Sequence, residues 1–316
     1  MYPTPERPAL GSFVRDQVEA LRRRDDVDVQ LHVLHGGLTS YPKAAVALRR
    51  RFGHAAPFDV VHAHFGLTAW PALLARLGPV VVTLHGNDLF HPRSRRITQA
   101  ALPLVALPAA VSRAFAANLE GAGTTRRIAV LPVGIDLHRF RPIPRHEARA
   151  ALGLLPDEPC LLFPHDPSRA LKRFDRAQEA ANGTRLLTMG RVDPADVPLH
   201  INAANAVLVP SQDEGFGLAA IEALACRVPV LATPVGIHAT ALQGVPGAFC
   251  EPYDRDRWRA ALAPLLADAD PRSDGADHAA LFSADRMADR VVAAWREVAG
   301  RTESAKLRPI LARSRR

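Results

Sequence analysis

Short apolar runs alternate with helical patterns along nearly the whole chain of 316 residues. This alternation predicts parallel sheets covered by helices, because strands that are buried on both faces read as continuous apolar runs. A proline-rich charged stretch from His138 to Pro159 separates the runs into two groups. The length is sufficient for two domains that each bury a core. The predicted fold class is therefore α/β, with two Rossmann-like doubly wound domains.

The predicted strands of the first group are Val27–Val33, Asp59–His62, Val80–Leu84, Leu107–Val111 and Ile128–Val133. Those of the second group are Cys160–Pro164, Arg185–Met189, Ala206–Val209, Val228–Thr233 and Gly247–Cys250. The clearest helical patterns are Phe13–Arg24, Arg145–Leu152, Gly217–Arg227, Arg255–Leu266 and Ala284–Val298. A doubly wound sheet normally begins with a strand, but here a proline-rich loop leads directly into a helix. The first strand of the N-terminal domain is therefore expected to be missing.

The net charge of +8 is concentrated in the C-terminal tail, residues 301–316, which contributes +5. Such a tail is expected to be a disordered extension. Alternatively, the tail could attract an anionic membrane surface together with the arginines at 22–24 and 49–51. Nucleic acid is not an expected partner, because the basic residues are not interleaved with aromatic ones. The absence of an apolar leader and of a disulfide framework favours a cytoplasmic location.

The segment from Ser211 to Glu222, SQDEGFGLAAIE, has the densest set of polar residues and glycines. It follows an apolar run and begins a helical pattern near Gly217. Free backbone N–H groups at a helix start attract anions, and glycines at 215 and 217 allow a ligand to approach the backbone. Two carboxylates, Glu214 and Glu222, flank this helix start. The segment therefore favours a ligand with hydroxyl groups beside a diphosphate, as in a nucleotide sugar.

A nicotinamide dinucleotide is a competing ligand for the same segment. Residues Gly215 to Ala220 fit the G-x-G-x-x-A pattern that binds dinucleotides after a strand. That fold usually places an acidic residue at the end of the next strand, and Val230 to Gly236 contains none. Sugar transfer is therefore favoured over a nicotinamide-dependent reaction.

The chain resembles the retaining family-4 glycosyltransferases, which have the GT-B fold, in several motifs that occur in the family's order. These motifs are Glu214-x7-Glu222 followed by ALACRVPVLATPVG, FDVVHAHFG at Phe58–Gly66, VVTLHGNDL at Val81–Leu89, AVSRAF at Ala110–Phe115 and LPVGIDLHRFRP at Leu131–Pro142. The resemblance is greatest to bacterial enzymes of cell-surface polysaccharide synthesis. It implies transfer of a hexose from a nucleoside-diphosphate donor to a glycan, lipid-linked or small-molecule acceptor.

The resemblance also implies a domain organisation. Residues 1–142 would form the acceptor-side domain, 143–159 a linker region and 160–283 the nucleotide-sugar domain. A C-terminal helix at 284–300 would return towards the N-terminal domain and precede the basic tail at 301–316.

Several donor-site roles follow from the resemblance. Glu222 would accept hydrogen bonds from the donor ribose, and Glu214 would lie against the hydroxyl groups of the donor sugar. The backbone amides of Gly215, Phe216 and Gly217 would hold sugar or phosphate oxygens.

Lys172 matches the family's lysine that neutralises the departing diphosphate. The family usually supplies an arginine upstream on a Gly-Arg turn, but this chain has PHDPSRALK at 164–172. Arg169 is therefore only a candidate for the second phosphate contact.

On the acceptor side, His85 matches the histidine that faces the donor sugar. Asp88 would orient this loop or cap the next segment, and Gly11 matches a glycine loop that approaches donor phosphate and acceptor. His62 and His64 are expected to contact the acceptor or to form structural hydrogen bonds. A metal at this His-x-His pair is disfavoured, because no carboxylate or cysteine partner is placed nearby and the family is generally metal-independent. No metal or other cofactor is expected.

The mechanism implied by these roles is attack by the acceptor on the same face of the sugar that the diphosphate leaves. No carboxylate is firmly placed as a nucleophile on the opposite face. A donor-binding protein with weak or no catalysis remains the alternative, because a missing central strand would weaken the acceptor side. A GT-B-like sugar epimerase is a lesser alternative.

Overall fold

The computed structural model describes residues 2–4, 10–34, 40–54, 58–86, 92–120, 127–190 and 192–313. The chain divides into two compact units. The first comprises Met1–Tyr2, Gln17–Pro132 and Met287–Arg316, and the second comprises Pro3–Asp16 and Val133–Arg286.

The strands are β1 (Val61–His64), β2 (Val80–Leu84), β3 (Leu107–Ala110), β4 (Ala129–Val130), β5 (Cys160–Phe163), β6 (Arg185–Thr188), β7 (Ala206–Val209), β8 (Val230–Ala232) and β9 (Ala248–Cys250). The described α-helices are α1 (Ser12–Arg22), α2 (Ser40–Phe52), α3 (Ala69–Ala75), α4 (Pro92–Ala101), α5 (Arg113–Glu120), α6 (Arg145–Ala151), α7 (Phe174–Ala181), α8 (Val197–Ala203), α9 (Leu218–Ala225), α10 (His238–Ala241), α11 (Arg255–Ala267), α12 (Ala276–Ala280) and α13 (Ala284–Arg313). Short 3-10 turns lie at Gly66–Thr68, Leu102–Leu104 and Ala170–Lys172.

The sheet of the first unit is parallel, with strand order β1-β2-β3-β4. Every side chain of β2 and β3 is buried. These strands are short apolar runs because both faces of a parallel sheet are covered. The predicted α/β class is confirmed in this unit.

The sheet of the second unit is also parallel, with strand order β6-β5-β7-β8-β9. Its core contains Leu161, Phe163 and Leu208 from the strands, packed with the fully buried Trp258 of α11. In chain order this arrangement is 2-1-3-4-5, a common order of doubly wound folds. The winding direction changes between β5 and β7, and ligands of such folds bind beside the carboxyl ends of the strands at that position.

The predicted strand Val27–Val33 is wrong, because these residues pair with no strand in the described part of the chain. A strand needs a neighbour for its backbone N–H and C=O groups. A doubly wound order would place a further strand between this segment and β1, and the described residues supply none. The predicted strand Asp59–His62 is displaced by two residues, because the ladder with β2 pairs Val61 with Val80 and His64 with Thr83.

The helix α13 extends from Ala284 to Arg313 and so includes most of the basic tail, whose expected disorder stays a prediction. Most residues of this stretch favour helices, and Arg301 pairs with Glu297 one turn earlier at 2.5 Å. Within the described residues, no helix is both long and apolar enough to cross a membrane.

Two buried arginines of α6 attach this helix to the rest of the second unit. Arg145 donates to the carbonyl oxygens of Ala204 at 3.0 Å and Ala269 at 2.9 Å, just beyond the ends of α8 and α11. Arg149 donates to the carbonyl of Ala203 at 3.1 Å and to Oδ1 of Asn205 at 2.9 Å. Guanidinium groups satisfy the free carbonyls at helix C-termini and interact favourably with the helix dipole.

Arg149→Met is therefore expected to lower the free energy of unfolding by about 3–5 kcal/mol, because it leaves buried carbonyl and amide groups without donors. Urea unfolding followed by circular dichroism measures this change. Arg185→Met is the matched control, since Arg185 forms an exposed pair with Glu158 at 3.1 Å and should change stability by less than about 1 kcal/mol. Equal effects of the two substitutions would contradict the proposed role of Arg149.

Candidate active site

Polar residues gather at the carboxyl ends of β5, β7 and β8 in the second unit. His165 and Lys172 follow β5, Ser211 and Glu214 follow β7, and His238 follows β8. Because β5 and β7 flank the change in winding direction, these side chains occupy the position where doubly wound sheets bind their ligands.

Lys172 and Glu214 form a buried ion pair at this position. Nζ of Lys172 lies 2.5 Å from Oε2 of Glu214, and the two side chains are each 8% exposed. The other carboxylate oxygen, Oε1, accepts from the hydroxyl of Ser211 at 2.8 Å. Both predicted catalytic residues of this unit are thus brought into contact.

In the Lys172–Glu214 pair, each charge stabilises the ionised form of the other residue. Burial alone would raise the pKa of Glu214, but Lys172, His165 and His238 together outweigh burial and lower that pKa to about 2. Burial lowers the pKa of Lys172, and the carboxylate of Glu214 opposes this shift. The geometry indicates that both groups are charged, because either charge alone would be buried without compensation.

His165 adds a neutral group to the pair. Its Nε2 lies 3.7 Å from Oε1 of Glu214 and is a buried nitrogen with no hydrogen-bond partner among the described residues. Burial and the nearby Lys172 ammonium lower the pKa of His165 to about 3. His165 is therefore uncharged at neutral pH.

The loop between β7 and α9 packs tightly against the loop after β8. Gly217 has φ 106°, and a Cβ there would lie 2.3 Å from Nε2 of the fully buried His238. Gly236 has φ 59°, and a Cβ there would lie 2.3 Å from the Phe216 carbonyl oxygen. That oxygen accepts from the N–H of Ile237 at 2.7 Å. The close packing explains the glycines and fixes the start of α9, where anions are favoured.

His238 takes part in the hydrogen bonds that connect the loop after β7 to the end of β8. Its Nδ1 donates to the Thr233 carbonyl at 2.9 Å, and the Thr233 hydroxyl donates to the Ser211 carbonyl at 2.5 Å. Burial lowers the pKa of His238 below its usual value. The loop that carries Glu214 is thus tied to the end of β8.

Glu222 lies on α9. Its side chain is half-buried and receives no hydrogen bond from the described residues. Burial raises the pKa of Glu222 to about 7, and Arg139 and Asp16 act on it in opposite directions. A carboxylate without a protein donor can accept hydrogen bonds from hydroxyl groups of a ligand.

The remaining predicted donor-site residues lie around this centre. Arg169 is exposed at the start of the 3-10 turn that ends at Lys172, and its electrostatic influence reaches His165 and Lys172. Gly215 and Phe216 occupy the loop before α9, with the Phe216 ring edge against Phe282 at 5.9 Å between centroids.

The first unit contains a second cluster, formed by histidines at the carboxyl ends of β1 and β2. Nδ1 of His64 lies 3.0 Å from Nε2 of His85, and Nε2 of His64 lies 3.3 Å from the amide nitrogen of Gln17. The rings of His62 and His64 stack at 4.7 Å. Nδ1 of His62 accepts from the indole of Trp295 at 3.0 Å. Three of the predicted acceptor-side or catalytic residues are therefore neighbours.

All three histidines of this cluster are neutral. Burial lowers the pKa of His64 to about 4 and lowers those of His62 and His85 well below the ordinary value. In the part of the chain that the structure describes, no group of histidines, cysteines and carboxylates is arranged to hold a metal ion.

The two other residues predicted for the acceptor side, Gly11 and Asp88, are not part of the described histidine cluster. Gly11 has φ 75° and precedes α1, in the segment Pro3–Asp16 of the second unit. Asp88 lies outside the described residues.

The predicted residues have partners that no motif in the sequence indicates: Gln17, His165, Ser211, His238 and Trp295. The positions of His165 and Ser211, just after buried parallel strands, could have predicted their place in the site, because polar residues there often face a ligand. Trp295 carried no such signal, since its contact with His62 spans more than two hundred residues of sequence.

Two family models match most of the chain. The model for glycosyltransferase family 4 matches residues 6–139, and the model for glycosyl transferases group 1 matches residues 166–280. A D-inositol 3-phosphate glycosyltransferase from Segniliparus rotundus is 30% identical, over 91% of this chain and 75% of that protein. One of the same name from Geodermatophilus obscurus is 32% identical, over 80% of this chain and 69% of that protein.

Solved structures share the fold. Sucrose-phosphate synthase from Thermosynechococcus elongatus superposes with a TM-score of 0.72 at 22% identity, covering 92% of this chain and 93% of that one. HepE from Anabaena, in complex with UDP and glucose, gives a TM-score of 0.67 at 16% identity, covering 87% and 88%. With the family matches, this shared architecture shows that the protein is a glycosyltransferase of family 4 with the GT-B fold.

Proposed function

We propose that the protein transfers a hexose, with retention of anomeric configuration, from a nucleoside-diphosphate donor to a hydroxyl group of a small phosphorylated polyol. The observation that carries this proposal is the buried Lys172–Glu214 pair beside the glycine-bounded start of α9. This arrangement combines a cation for a diphosphate, a helix start for its oxygens and a carboxylate for sugar hydroxyls.

Lys172 is the group that stabilises the leaving diphosphate. Breaking the bond between the anomeric carbon and the phosphate oxygen builds negative charge on that oxygen. An ammonium in a site that excludes water interacts strongly with such charge. Lys172 is held near the reaction centre by Glu214 before the donor arrives, so little reorganisation is needed when the donor diphosphate becomes its partner.

Glu214 and Glu222 bind different parts of the donor. Glu214 remains ionised because its pKa is about 2, so it accepts hydrogen bonds from hydroxyl groups of the transferred sugar. Glu222, a full turn into α9, accepts them from the ribose. The exposed Arg169 is the second phosphate ligand.

Retention follows from attack on the face from which the diphosphate leaves. The bond from the anomeric carbon to the phosphate oxygen breaks, and a bond to the acceptor oxygen forms on that face. The acceptor proton passes to the departing phosphate oxygen. Glu214 is engaged by Lys172 and Ser211 on both carboxylate oxygens, which argues against its use as a covalent nucleophile. The role of His85 towards the donor sugar, which the family resemblance implies, stays a prediction.

The acceptor class is proposed from the names of the relatives. Proteins that are 29–35% identical to this chain are named D-inositol 3-phosphate glycosyltransferases. A cyclic polyol phosphate therefore replaces the cell-surface polysaccharide as the first acceptor to test. Incubation with radiolabelled UDP-, GDP- or ADP-hexose and D-inositol 3-phosphate, followed by chromatography, should yield a labelled phosphorylated glycoside. Label in polymer or lipid extracts of cells, but not on the inositol phosphate, would instead favour the polysaccharide acceptor.

Calorimetric titration with UDP, GDP and ADP tests the donor site. One nucleotide should bind, and Glu222→Gln should weaken it by about 10–100-fold, because a hydrogen bond to a charged acceptor contributes about 1.5–3 kcal/mol. Affinity in the unchanged protein should also fall as pH drops below about 7, where Glu222 becomes protonated.

Glu147→Gln is the matched control for this titration, because Glu147 is an exposed residue of α6. Its nucleotide affinity should equal that of the unchanged protein. If none of the three nucleotides binds, or if Glu222→Gln binds as well as Glu147→Gln, the proposed donor site is wrong.

A further inference from the structure

The Lys172–Glu214 pair contains a single cation, and under the proposed function that cation changes partner. Lys172 turns to the diphosphate when the nucleotide sugar binds, so the inference drawn here rests on the proposed function. Among the described residues, Glu214 then keeps only the Ser211 hydroxyl, which lies 2.8 Å from Oε1. Its side chain is 8% exposed, and a buried carboxylate without a compensating charge is strongly unfavourable.

His165 is placed to compensate this charge. Its Nε2 is buried, lies 3.7 Å from Oε1 of Glu214 and has no hydrogen-bond partner among the described residues. A shift of about 0.5–1 Å would bring the two atoms to hydrogen-bond distance. A buried ring nitrogen without a partner is uncommon and calls for an explanation.

The backbone around the cluster is fixed, so the change of partner involves side chains. The carbonyl oxygen of His165 accepts from the Met189 N–H at 3.2 Å, and the imidazole lies edge-to-face with the Phe163 ring at 5.5 Å between centroids. The 3-10 turn before α7 is bound to the loop before α9, because the Gln212 N–H donates to the Leu171 carbonyl at 2.9 Å.

The charges around His165 explain why it is neutral before the nucleotide sugar binds. Burial and the Lys172 ammonium lower the pKa of His165, and Glu214 raises it. Smaller lowering effects come from Arg169 and His238. When Lys172 turns to the diphosphate, the main charge that opposes protonation of His165 moves away, while the carboxylate that favours it remains.

No other described side chain is as well placed to compensate Glu214. Within the described residues, Lys172 and His165 are the only basic side chains that have a nitrogen within 4.0 Å of its carboxylate. The two acidic neighbours in sequence cannot serve. Asp213 is a carboxylate whose pKa burial raises, and Asp166 accepts from the Ser168 N–H at 2.8 Å.

We propose that His165 is a positioning residue that replaces Lys172 as the cation beside Glu214 when the diphosphate draws Lys172 away. His165 takes one proton from solvent, and the resulting imidazolium carries an N–H on both ring nitrogens. Its Nε2–H then donates to Oε1, which keeps the Glu214 carboxylate ionised and in place for the sugar hydroxyls. The proton returns to solvent when the nucleoside diphosphate leaves and Lys172 pairs with Glu214 again.

Lys172→Met tests this exchange without any ligand, because it removes the cation permanently. NMR of the protein with ¹⁵N-labelled histidine distinguishes a neutral from a charged imidazole, and the His165 signals are assigned from their loss in His165→Gln. Loss of the nearby cation should raise the titration midpoint of His165 by about 1–3 pH units. Between pH 7 and pH 5.5, we therefore expect His165 to become charged in Lys172→Met and to stay neutral in the unchanged protein.

Two controls show whether the Glu214 carboxylate causes this change. The double substitution Lys172→Met with Glu214→Gln removes both charges and should leave His165 neutral. Arg173→Met removes an adjacent arginine that pairs with Asp175 at 2.6 Å and should have no effect on His165. If Lys172→Met does not fold, Lys172→Gln removes the same charge and keeps an amide that can donate to Glu214. A neutral His165 at pH 5.5 in the folded single variant would overturn the proposal.

The nucleotide complex tests the exchange in the unchanged protein. The nucleoside diphosphate that binds in calorimetry should produce a charged His165 at pH 6, whereas the corresponding nucleoside, which has no phosphate to attract Lys172, should leave it neutral. His165→Leu should bind that nucleotide about 10–100-fold more weakly, because a hydrogen bond to a charged group is lost. His146→Gln is the control, since His146 is exposed. A neutral His165 in the nucleotide complex would refute the exchange.

The pH dependence of nucleotide affinity separates this role from a merely structural one. Protonation of Glu222 makes affinity fall below about pH 7, and proton uptake by His165 opposes that fall. The fall should therefore be steeper in His165→Gln than in the unchanged protein, and identical profiles would contradict the proposal. If none of the three nucleotides binds, the proposed donor site is wrong, while the Lys172→Met spectra still decide whether His165 compensates Glu214.

Discussion

Lys172→Met is expected to lower kcat for sugar transfer by about 10³-fold while nucleotide affinity changes less. Removing one preorganised donor to a developing negative charge typically costs 10²–10³-fold in kcat, about 3–4 kcal/mol. Methionine has a similar length and no charge, so the substitution removes the ammonium and retains most of the packing. Steady-state assays with the nucleotide sugar identified by calorimetry measure the change.

The same substitution should also lower stability, because it leaves Glu214 buried without its cation. Breaking a buried pair from one side costs about 3–5 kcal/mol. The double substitution Lys172→Met with Glu214→Gln removes both charges and should recover most of that loss in urea unfolding. It should not recover kcat. Stability and catalysis are thereby separated in two variants of the same pair.

Arg173→Met is the control for this prediction. Arg173 is adjacent to Lys172 and pairs with the largely exposed Asp175 at 2.6 Å, so its loss should change kcat by less than about twofold. The leaving-group role of Lys172 would be contradicted if the stable double variant retained more than about a tenth of the original kcat.

The sequence predicted the sheets well wherever strands are buried on both faces. The bounds of β2 and β7 agree with the predicted Val80–Leu84 and Ala206–Val209, because every residue in these runs faces covered surface. Val27–Val33, VDVQLHV, alternates apolar and polar residues as a half-buried strand would, but is not a strand. Its failure is a tertiary effect, since a strand requires a neighbour and sequence periodicity does not report one.

The candidate site was predicted less completely than the fold, for a related reason. Separate motifs indicate Glu214 and Lys172, and nothing in their spacing of 42 residues indicates a contact. His238 follows an apolar run without any motif, yet it packs beneath Gly217 because β7 and β8 are neighbours. Contacts between strand ends follow from strand order, which propensity and periodicity do not determine.

The buried histidines lead to the second prediction of large effect, which is a loss of stability in mild acid. His62, His64, His85, His165 and His238 all have a pKa below the ordinary value, mainly because burial disfavours their charged form. An unfolded histidine titrates near pH 6.5. Between that value and about 4, the unfolded chain therefore binds more protons than the folded one, and stability falls as pH is lowered.

Each such histidine contributes up to about 1.4 kcal/mol for every pH unit below about 6.5. Glu222 acts in the opposite direction, because its raised pKa makes the folded chain bind the extra proton between its ordinary value and about 7. Burial also raises the pKa of Asp213, so two carboxyl groups oppose five histidines and the net effect is destabilisation. We expect the free energy of unfolding to fall by several kcal/mol between pH 7 and pH 5.5, measured by urea unfolding at constant ionic strength.

His64→Asn provides the matched comparison, because it removes one titrating group and keeps a side chain that can form a hydrogen bond with His85. Its stability should depend less steeply on pH, by about 1.4 kcal/mol per unit below pH 6.5. His54→Asn, which removes an exposed histidine, should keep the steep dependence of the unchanged protein. A stability that is flat from pH 7 to pH 5.5 would mean that these histidines are not held neutral by burial.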